Sequence, residues 1–550
     1  MLRKVLIANR GEIALRVVRA CRELGIASVA VYSDADASAP HVREADEAVR
    51  IGPAPSSESY LKGDHIIEVA QRVGADAIHP GYGFLSEREW FARAVREAGL
   101  IWIGPPAEAI GATGSKTAAR QLATAHDVPI VPGTTEPLRD AAEASATAAR
   151  FGYPVLLKAA AGGGGKGMRV VRSAEEIAGA LESAKREALN AFGDDAVYVE
   201  KYIEGPRHVE IQILADAHGT VISLGERECS VQRRHQKMIE EAPSVAVSPE
   251  LRKRMGDAAV RFAKAAGYVN AGTCEFLLDA HGAFYFLEMN TRIQVEHPVT
   301  ELVTGIDLVQ WQLRIAAGEA ISFDAPTVPR GWAIECRITA EDPANGFFPS
   351  TGRIRYLHVP SGPGVRWDSG VETGSDVGLT YDPMLAKLIV WGEDRAHAVA
   401  RMHRALEELV IDGVESSREF HLRVMEDDEF RRGEIEIQWL ERRLPSIVGA
   451  AAPPDQVRTA AIAPALLAES RRTGEPLVEI LEEHEAGIVL RGSEGKSLRL
   501  GQVRINDAYA HITDGGEMWL EGMHIPPYAN AVGFGSHVPD GPRKLLMHRA

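Results

Sequence analysis

The sequence predicts an α/β protein of several domains. Three observations predict it: a strand-helix-strand pattern at the start, a hairpin with a polar face in the middle, and a length of 550 residues, which is too long for one core. Residues 4–8 are a short apolar run, 12–24 have helical periodicity, and 28–32 form a second apolar run. We therefore expect an N-terminal domain with an open parallel sheet.

The bulk properties exclude several classes of protein. The hydrophobic content is 45% and the formal net charge is -16, which disfavours nucleic acid as a general partner. No apolar run approaches the roughly 20 residues of a membrane span, and the chain enters a strand without a signal segment. The four cysteines are far apart and form no CxxC pair, so neither a zinc site nor a disulfide framework is predicted. We expect a cytoplasmic protein that does not bind membranes.

The first strand is not followed by a dinucleotide site. The turn at 9–11 contains one glycine, so the G-x-G-x-x-G pattern fails and NAD is not predicted. The alternation of strands and helices continues through apolar runs at 77–79 and 100–103, with the loop HPGYGFLSE at 79–87 between them. This loop follows the carboxyl end of a strand, where open α/β sheets bind ligands. A purely structural turn is the alternative.

Two lysines and a glycine run predict a phosphate site. Lys116 follows GATGS, and Lys158 ends the apolar strand 154–157. Because an isolated buried ammonium is costly, a phosphate partner is favoured over a side chain that extends to solvent. The run AGGGGKGM at 161–168 is no Walker A loop, because Gly167 follows the lysine. It is typical of a mobile phosphate lid, with a flexible linker as the alternative.

A predicted hairpin carries the most specific polar pattern. Apolar strands at 273–278 and 283–287 flank a turn, and EMNTRIQVEH follows at 288–297. Strand periodicity puts alternate polar residues on one face and Glu275 opposite Glu288. The alternating residues are Glu288, Asn290, Arg292 and Gln294.

Carboxylate and amide oxygens placed in this way are the ligands that Mg²⁺ prefers. The alternative is a solvated polar face on an edge strand, but the apolar flanking runs favour a cleft. Arg292 and Glu296 lie just beyond these ligands, where a cation and a carboxylate could bind and deprotonate a small anion. Residues 198–203 and 208–214 are predicted strands, and the polar stretch 227–241 is predicted as a charged loop that walls a substrate.

Five motifs in the right order closely resemble the biotin carboxylase component of biotin-dependent carboxylases, an ATP-grasp family. The resemblance covers roughly residues 1–445. The motifs are KVLIANRGEIA at 4–14, HPGYGFLSE at 79–87, GGGGKGM at 162–168, RRHQK at 233–237 and EMNTRIQVEHP at 288–298.

The resemblance implies the site residues. Magnesium or manganese would be bound by Glu275, Glu288 and Asn290. Bicarbonate would be bound by Arg292, Gln294, Val295 and Lys237, with Glu296 as its general base. Arg337 would stabilise the enolate of biotin, with Tyr82 and Gly83 beside the ureido ring. Gln232 and His235 are assigned to the nucleotide site and also border that ring. The other ATP-binding residues would be Lys116, Lys158, Gly163, Gly164, Gly165, Met168, Glu200, Lys201, Ile203, His208 and Leu277.

The implied activity is ATP-dependent carboxylation of carrier-linked biotin by bicarbonate through carboxyphosphate, as the first half-reaction of an acyl-CoA carboxylase. The acyl-CoA (methylcrotonyl-, propionyl-, acetyl- or longer) is left open. The alternatives are the corresponding part of a urea or pyruvate carboxylase, or a non-catalytic scaffold, which would need the loss of Lys237, Glu288, Arg292 or Glu296. The implied partners are a biotin carrier, the β subunit of a carboxyltransferase, and a second copy of this chain.

The resemblance also divides the chain. We expect an N-terminal biotin carboxylase domain at 1–114, an ATP-grasp domain at 115–330 with a mobile lid at about 132–203, and an α+β C-terminal domain at 331–446. A linker at 447–458 precedes a tail at 459–550, in which we expect a short helix at about 459–472 and strands at 487–491, 497–500 and 517–520. The tail resembles part of the helix-plus-β-barrel domain that docks a carboxyltransferase. The sequence contains no Met-Lys-Met carrier motif, so we expect biotin on another domain or chain.

Overall fold

The computed structural model describes residues 2–134, 136–159, 168–192, 195–325 and 328–449, and within the tail 486–488, 509–512, 518–521, 523–525 and 543–547. The chain divides into two compact units, Met1–Gly449 and Ala450–Ala550. No helix in these ranges combines the length and the apolar character that a membrane span requires.

The first unit opens with a five-stranded parallel sheet, as predicted. Its strand order is β3-β2-β1-β4-β5, and the central residues Val5, Leu6 and Ile7 are completely buried. The carboxyl ends of β1 and β4 therefore meet at one edge, where loop 79–87 begins. The elements are β1 Lys4–Ile7, α1 Gly11–Glu23, β2 Ala27–Ser33, α2 Pro40–Glu44, β3 Glu47–Gly52, α3 Gly63–Arg72, β4 Ala77–His79, α4 Glu89–Glu97, β5 Ile101–Trp102 and α5 Ala107–Gly114.

A smaller sheet with its own core follows. The strands pair in the order β7-β6-β8, and helices α7 and α8 cover them. The sequence places these elements in the expected lid, whose motion stays a prediction. The elements are α6 Lys116–Ala125, α7 Ala141–Phe151, β6 Val155–Ala159, β7 Met168–Val171, α8 Ile177–Phe192 and β8 Val197–Lys201.

The predicted hairpin is confirmed, but the prediction of a charged loop at 227–241 is wrong. That stretch forms most of β10 and β11, two long paired strands joined by a turn in which Arg234 and His235 have φ of 50° and 65°. Its buried charges at Arg227, Lys237 and Glu240 are paired with residues of neighbouring strands, whereas Arg234 and His235 in the turn are exposed. The elements are β9 Arg207–Ala215, β10 Val221–Arg233, β11 Gln236–Ala242, α9 Pro249–Ala265, β12 Asn270–Leu278, β13 Phe284–Asn290, α10 His297–Thr304, α11 Leu308–Ala316 and β14 Trp332–Thr339.

The C-terminal part of the first unit extends the same sheet. Eight strands pair in the order β13-β12-β9-β10-β11-β14-β21-β19. One continuous sheet thus joins the hairpin to the C-terminal segment. The remaining elements are β15 Glu341–Asp342, β16 Phe348–Pro349, β17 Gly352–Arg353, β18 Tyr356–His358, β19 Val365–Ser369, β20 Asp376–Val377, β21 Met384–Gly392, α12 Arg395–Glu408, β22 Val410–Asp412, α13 Arg418–Glu426, α14 Asp428–Arg432 and α15 Trp439–Gly449.

The second unit has four described strands, which pair antiparallel in the order β23-β26-β25-β24. They are β23 Ala486–Ile488, β24 Tyr509–Ile512, β25 Met518–Glu521 and β26 Arg543–Met547. The predicted strand at 517–520 coincides with β25. The predicted helix at 459–472, the predicted strand at 497–500 and the linker beyond Gly449 lie outside the described residues.

Candidate active site

The hairpin of β12 and β13 brings acidic groups of two strands side by side. Glu275 is opposite Glu288, as the sequence predicts. The register shifts by one residue beside this pair, so that Leu287 forms a bulge. Asn290 Nδ2 donates a hydrogen bond to Glu275 Oε1 over 3.0 Å. The donor set of two carboxylates and an amide oxygen fits Mg²⁺.

The segment after β13 is not the strand that we expected. Strand β13 ends at Asn290 because the chain turns towards α10, so Arg292 and Gln294 do not continue its face. Both side chains nevertheless point back to the hairpin. Arg292 donates to Asn290 Oδ1 over 3.0 Å, and Gln294 Nε2 donates to Glu275 Oε1 over 2.8 Å. The predicted residues are therefore neighbours through this turn rather than through strand periodicity.

Lys237 lies at the centre of the site. Its Nζ donates to Glu210 Oε2 over 2.6 Å, to Glu296 Oε1 over 2.6 Å and to Glu275 Oε1 over 3.1 Å. Burial alone would lower the pKa of Lys237, but these three carboxylates raise it well above the usual value. The ammonium thus stays charged and links the hairpin, β9 and the segment before α10.

Glu296 is a buried carboxylate held between two cations. Besides Lys237, it accepts a hydrogen bond from Arg337 Nη2 over 3.1 Å, and Arg337 is supplied by β14. Burial would raise the pKa of Glu296, whereas Lys237, Arg337 and Arg227 lower it well below its usual value. The carboxylate is therefore ionised at neutral pH, which is the form that a general base requires.

This electrostatic arrangement predicts a pH effect in the Lys237→Gln variant. In the unchanged protein Glu296 stays ionised from about pH 8 to about pH 6, because its lowered pKa lies far below that range. Without the ammonium, burial raises this pKa, so kcat/KM for bicarbonate should fall on acidification. The pH profile of each variant provides the measurement. Lys253→Gln, on the exposed face of α9, is the control. An equal fall of kcat/KM on acidification in both variants would mean that Lys237 does not keep Glu296 ionised.

A fully buried arginine that the sequence analysis missed connects these elements. Arg227 Nε donates to Glu210 Oε1 over 2.6 Å, and Nη2 donates to Gln294 Oε1 over 2.6 Å. Its remaining hydrogen bonds reach Gln212, Thr300 and Thr273. The side chain of Arg227 has 0% exposed area. Its guanidinium therefore holds Glu210 and Gln294 in place without contact with solvent.

Among the residues predicted to bind ATP, Glu200 of β8 contacts two cations. Its Oε1 lies 2.5 Å from Lys158 Nζ and accepts a hydrogen bond from Arg120 over 2.8 Å. Lys158 therefore has a carboxylate partner in this structure, and the phosphate partner stays a prediction. His208 Nε2 is 3.1 Å from Glu275 Oε2, which joins this side to the hairpin.

The other predicted ATP residues are placed as follows. Met168 begins β7, Lys201 ends β8, and Ile203 and Leu277 are partly buried. The Lys201 backbone N–H donates to Pro132 O over 2.7 Å. Lys116 begins α6, but its side chain lies outside the described residues, as do Gly163, Gly164 and Gly165.

Residues assigned to biotin are less tightly grouped. Gln232 is buried opposite Lys237, whereas His235 is exposed in the turn. The Tyr82 hydroxyl donates to Glu12, and Val295 O accepts from Lys387 Nζ over 2.9 Å. Gly83 is exposed with φ of 68°.

Several site residues were missed by the sequence analysis. Glu87 accepts from Arg292 Nε over 3.0 Å, and Glu210 accepts from both Lys237 and Arg227. Glu240 accepts from Arg337. One signal could have found Glu210. In the run HVEIQ at 208–212 polar residues alternate with apolar ones, the same pattern that singled out residues 288–294.

Family models match three consecutive parts of the first unit. They are described as "Biotin carboxylase, N-terminal domain" at residues 1–110, "Carbamoyl-phosphate synthase L chain, ATP binding domain" at 115–323 and "Biotin carboxylase C-terminal domain" at 335–442. A fourth model, "SmpB protein", matches residues 470–550. That match is to a different family from the docking domain that we expected in the tail.

Similar proteins point to the same family for the first unit. A pyruvate carboxylase subunit of Methanothermobacter thermautotrophicus is 53% identical over 80% of this chain and 90% of its own length. "Biotin carboxylase 1" of Bacillus subtilis is 52% identical over 80% of this chain and 98% of its own length. The alpha subunit of the mitochondrial methylcrotonoyl-CoA carboxylase of Mus musculus is 51% identical over 80% of this chain, and the match covers 61% of that protein.

Solved structures agree with this fold. A biotin carboxylase domain dimer of Hydrogenobacter thermophilus 2-oxoglutarate carboxylase, in complex with MgADP, ADP and bicarbonate, is similar with a TM-score of 0.75 and 48% identity. The match covers 82% of this chain and 100% of the 2-oxoglutarate carboxylase domain. A Campylobacter jejuni biotin carboxylase in complex with β,γ-ATP has a TM-score of 0.75 and 46% identity, over 80% and 99% of the two chains.

The fold and the site define an ATP-grasp ligase. More specifically, the chain belongs to the biotin carboxylase family, whose reaction is ATP-dependent carboxylation of biotin with ATP and Mg²⁺. The hydrogen-bonded cluster of Lys237, Glu275 and Glu296 is the candidate site for that reaction.

Proposed function

We propose that the chain performs the first half-reaction of an acyl-CoA carboxylase, and that a separate carboxyltransferase completes it. The single observation that carries the chemistry is the buried Glu296 carboxylate, which accepts hydrogen bonds from both Lys237 and Arg337. The acyl-CoA acceptor is supported by the similarity to the alpha subunit of a methylcrotonoyl-CoA carboxylase. A 2-oxo acid acceptor is the second candidate, because pyruvate and 2-oxoglutarate carboxylases are also among the similar proteins.

Glu296 acts as the general base for bicarbonate. Arg292, Gln294, Val295 and Lys237 bind the anion, and Glu296 removes its proton while a bicarbonate oxygen attacks the γ-phosphate of ATP. The bond from the γ-phosphorus to the bridging oxygen breaks, so that ADP leaves and carboxyphosphate forms. Lys237 serves two purposes, since it keeps Glu296 ionised and offers positive charge to the anion. Burial of the site excludes water, which would otherwise hydrolyse carboxyphosphate.

Glu275, Glu288 and Asn290 would hold the magnesium ion, which would supply positive charge to the phosphates of ATP. Lys116 and Lys158 add positive charge to the same phosphates, and the backbone at 163–165 covers them. Lys158 must then exchange Glu200, its partner in this structure, for a phosphate. Arg337, supplied by β14, neutralises the negative charge that develops on the ring of biotin, with Tyr82 and Gly83 beside that ring.

The metal assignment predicts a specific defect in Glu288→Gln. The Mg²⁺ concentration for half-maximal activity should rise at least about tenfold, the loss that removal of even an outer partner of a metal commonly causes. The free energy of unfolding should change little, because Glu288 is exposed. Titration of ADP release with Mg²⁺ at saturating ATP checks this. Asp257→Asn, exposed on α9, is the control, and an unchanged Mg²⁺ dependence in Glu288→Gln would remove this residue from the metal site.

The acceptor can be tested with labelled bicarbonate. The full chain is incubated with MgATP, ¹⁴C-bicarbonate and a biotinylated carrier domain, and then with carboxyltransferases for acyl-CoA or for 2-oxo acids. We expect label in an acyl-CoA product. Label only in a 2-oxo acid product would support the second candidate, and label that stays on the carrier with every acyl-CoA enzyme would contradict the first.

We place this reaction in the cytoplasm and propose that the chain forms a homodimer. All four cysteines are buried and free, which suits a reducing compartment. The dimer is supported by the biotin carboxylase domain dimer of the similar 2-oxoglutarate carboxylase. Light scattering of the purified chain measures its mass in solution, and a monomer at micromolar concentration would contradict the dimer.

We further propose that residues 470–550 are a separate unit of the SmpB type rather than a docking domain. The family match and the division of the chain after Gly449 support this proposal. Removal of residues 450–550 should leave both biotin carboxylation and transfer to the carboxyltransferase unchanged. If biotin is still carboxylated but the transfer is lost, the tail has the docking role that was first expected.

A further inference from the structure

Two buried carboxyl groups face each other behind Arg337. Glu240 of β11 and Glu335 of β14 are directly opposite in the antiparallel register, and both are completely buried. Glu240 Oε1 accepts a hydrogen bond from Arg337 Nε over 2.6 Å. The other three oxygens of the pair, Glu240 Oε2 and both of Glu335, have no hydrogen-bond partner among the described residues.

Such a pair cannot carry two full charges at low cost. Directly opposite residues of antiparallel strands have their Cβ atoms about 4.5 to 5.5 Å apart, so the two carboxyl groups are close. A buried carboxylate without a partner is expensive, and two adjacent ones repel each other. One proton shared between them removes one charge and lets one group donate to the other.

The surrounding charges do not replace that proton. Lys387 Nζ is engaged with Glu12 Oε1 at 3.1 Å and with Val295 O. Arg337 is shared between Glu240 and Glu296. The titratable and charged groups that face the pair are Arg337, Lys387, Lys237, Glu296, Tyr82 and Cys336.

The balance of these groups favours a proton on the pair. Burial is the largest effect on both carboxyl groups and raises the pKa of each. For Glu335, Lys387 opposes it only in part and the pKa lies well above the usual value. For Glu240, Arg337 opposes the effect of burial and the pKa is raised to about 7.

We propose that Glu335 is a positioning residue that works as a neutral carboxylic acid, donating a hydrogen bond to Glu240 so that Glu240 stays anionic and orients Arg337 towards biotin. The inference rests on the role proposed above for Arg337. The proton is assigned to Glu335 because Glu240 is the carboxyl group that contacts the guanidinium of Arg337. Loss of this proton would add a negative charge two residues from Arg337 and hold the guanidinium away from its substrate.

Glu335→Gln tests the protonation state, because an amide also donates a hydrogen bond without charge. We expect Glu335→Gln to keep the biotin-dependent kcat at pH 7 within about threefold. Glu335→Leu leaves Glu240 Oε2 without a donor and should lose at least about tenfold. As pH rises, the rate of the unchanged protein should fall more than that of Glu335→Gln. Glu241→Gln, a buried carboxylate of the same strand paired with Arg395, is the matched control.

Infrared difference spectra of the full chain provide a readout that does not depend on activity. The unchanged protein should show the carbonyl stretch of a protonated carboxyl at pH 7, and Glu335→Gln should lack it while Glu241→Gln retains it. Absence of that band in the unchanged protein, or a loss of rate in Glu335→Gln as large as in Glu335→Leu, would overturn the proposal. If Glu335→Leu does not fold, the band and the pH profile of Glu335→Gln decide. If the proposed role of Arg337 fails but the band is present, only the positioning step is overturned.

Discussion

Glu296→Gln is expected to lower kcat for bicarbonate-dependent, biotin-stimulated ADP release by about 10²- to 10⁴-fold, the usual contribution of a general base. The amide has the shape of the carboxylate but cannot accept a proton from bicarbonate. MgATP binding should change little, because Glu296 contacts Lys237 and Arg337 rather than the residues assigned to the nucleotide. Steady-state kinetics and nucleotide titration of the same preparation measure the two effects.

A matched control separates chemistry from stability. Glu226 is also a buried, ion-paired carboxylate, but its partner is Arg252 on α9. Glu226→Gln should therefore cost stability without a comparable loss of kcat. If Glu296→Gln loses MgATP binding in proportion to its rate, the separation of base from nucleotide site is wrong.

Arg227→Met should cause the largest loss of stability, about 3 to 5 kcal/mol, as is typical when one partner of a buried ion pair is removed. The substitution leaves Glu210 with one cationic partner fewer, and Gln212 and Gln294 without a donor. Denaturant unfolding of the full chain, followed by tryptophan fluorescence, measures the change in free energy. The loss should be present above about pH 5, where carboxylates are ionised in the unfolded chain too.

Arg252→Met is the comparison for this prediction. Arg252 also pairs with a buried glutamate, but 15% of its side chain is exposed, and Glu226 is its one carboxylate partner among the residues that the structure describes. Its loss should be clearly smaller. Equal losses for the two variants would mean that the network of Arg227 adds nothing beyond a single ion pair.

The sequence could predict the local parts of this site well. Alternation in residues 288–294 and the turn at 279–282 were enough to place Glu275 opposite Glu288, because a hairpin's register follows from its turn and its apolar residues. The parallel N-terminal sheet was also predicted from a local pattern, namely two consecutive apolar strands with a helix between them.

Contacts between distant segments could not be predicted in this way. Glu240 meets Glu335 only because β11 pairs with β14, and no local pattern specifies that pairing. The stretch 227–241 looked like a loop because its charges suggested solvent, yet Arg227 and Glu240 are buried and neutralised by residues far away in the chain. The ionised state of Glu296 depends on cations from three such segments.

As a biotin carboxylase, this chain uses ATP to transfer the carbon of bicarbonate to biotin. The most direct test follows ¹⁴C from bicarbonate into acid-labile carboxybiotin, with the full chain, MgATP and free biotin or a biotinylated carrier, alongside ADP release. We predict label and ADP in equal amounts that require all three substrates, and both products formed about 10²- to 10⁴-fold more slowly with Glu296→Gln. ADP release without any labelled biotin, on free biotin and on the carrier alike, would contradict the account.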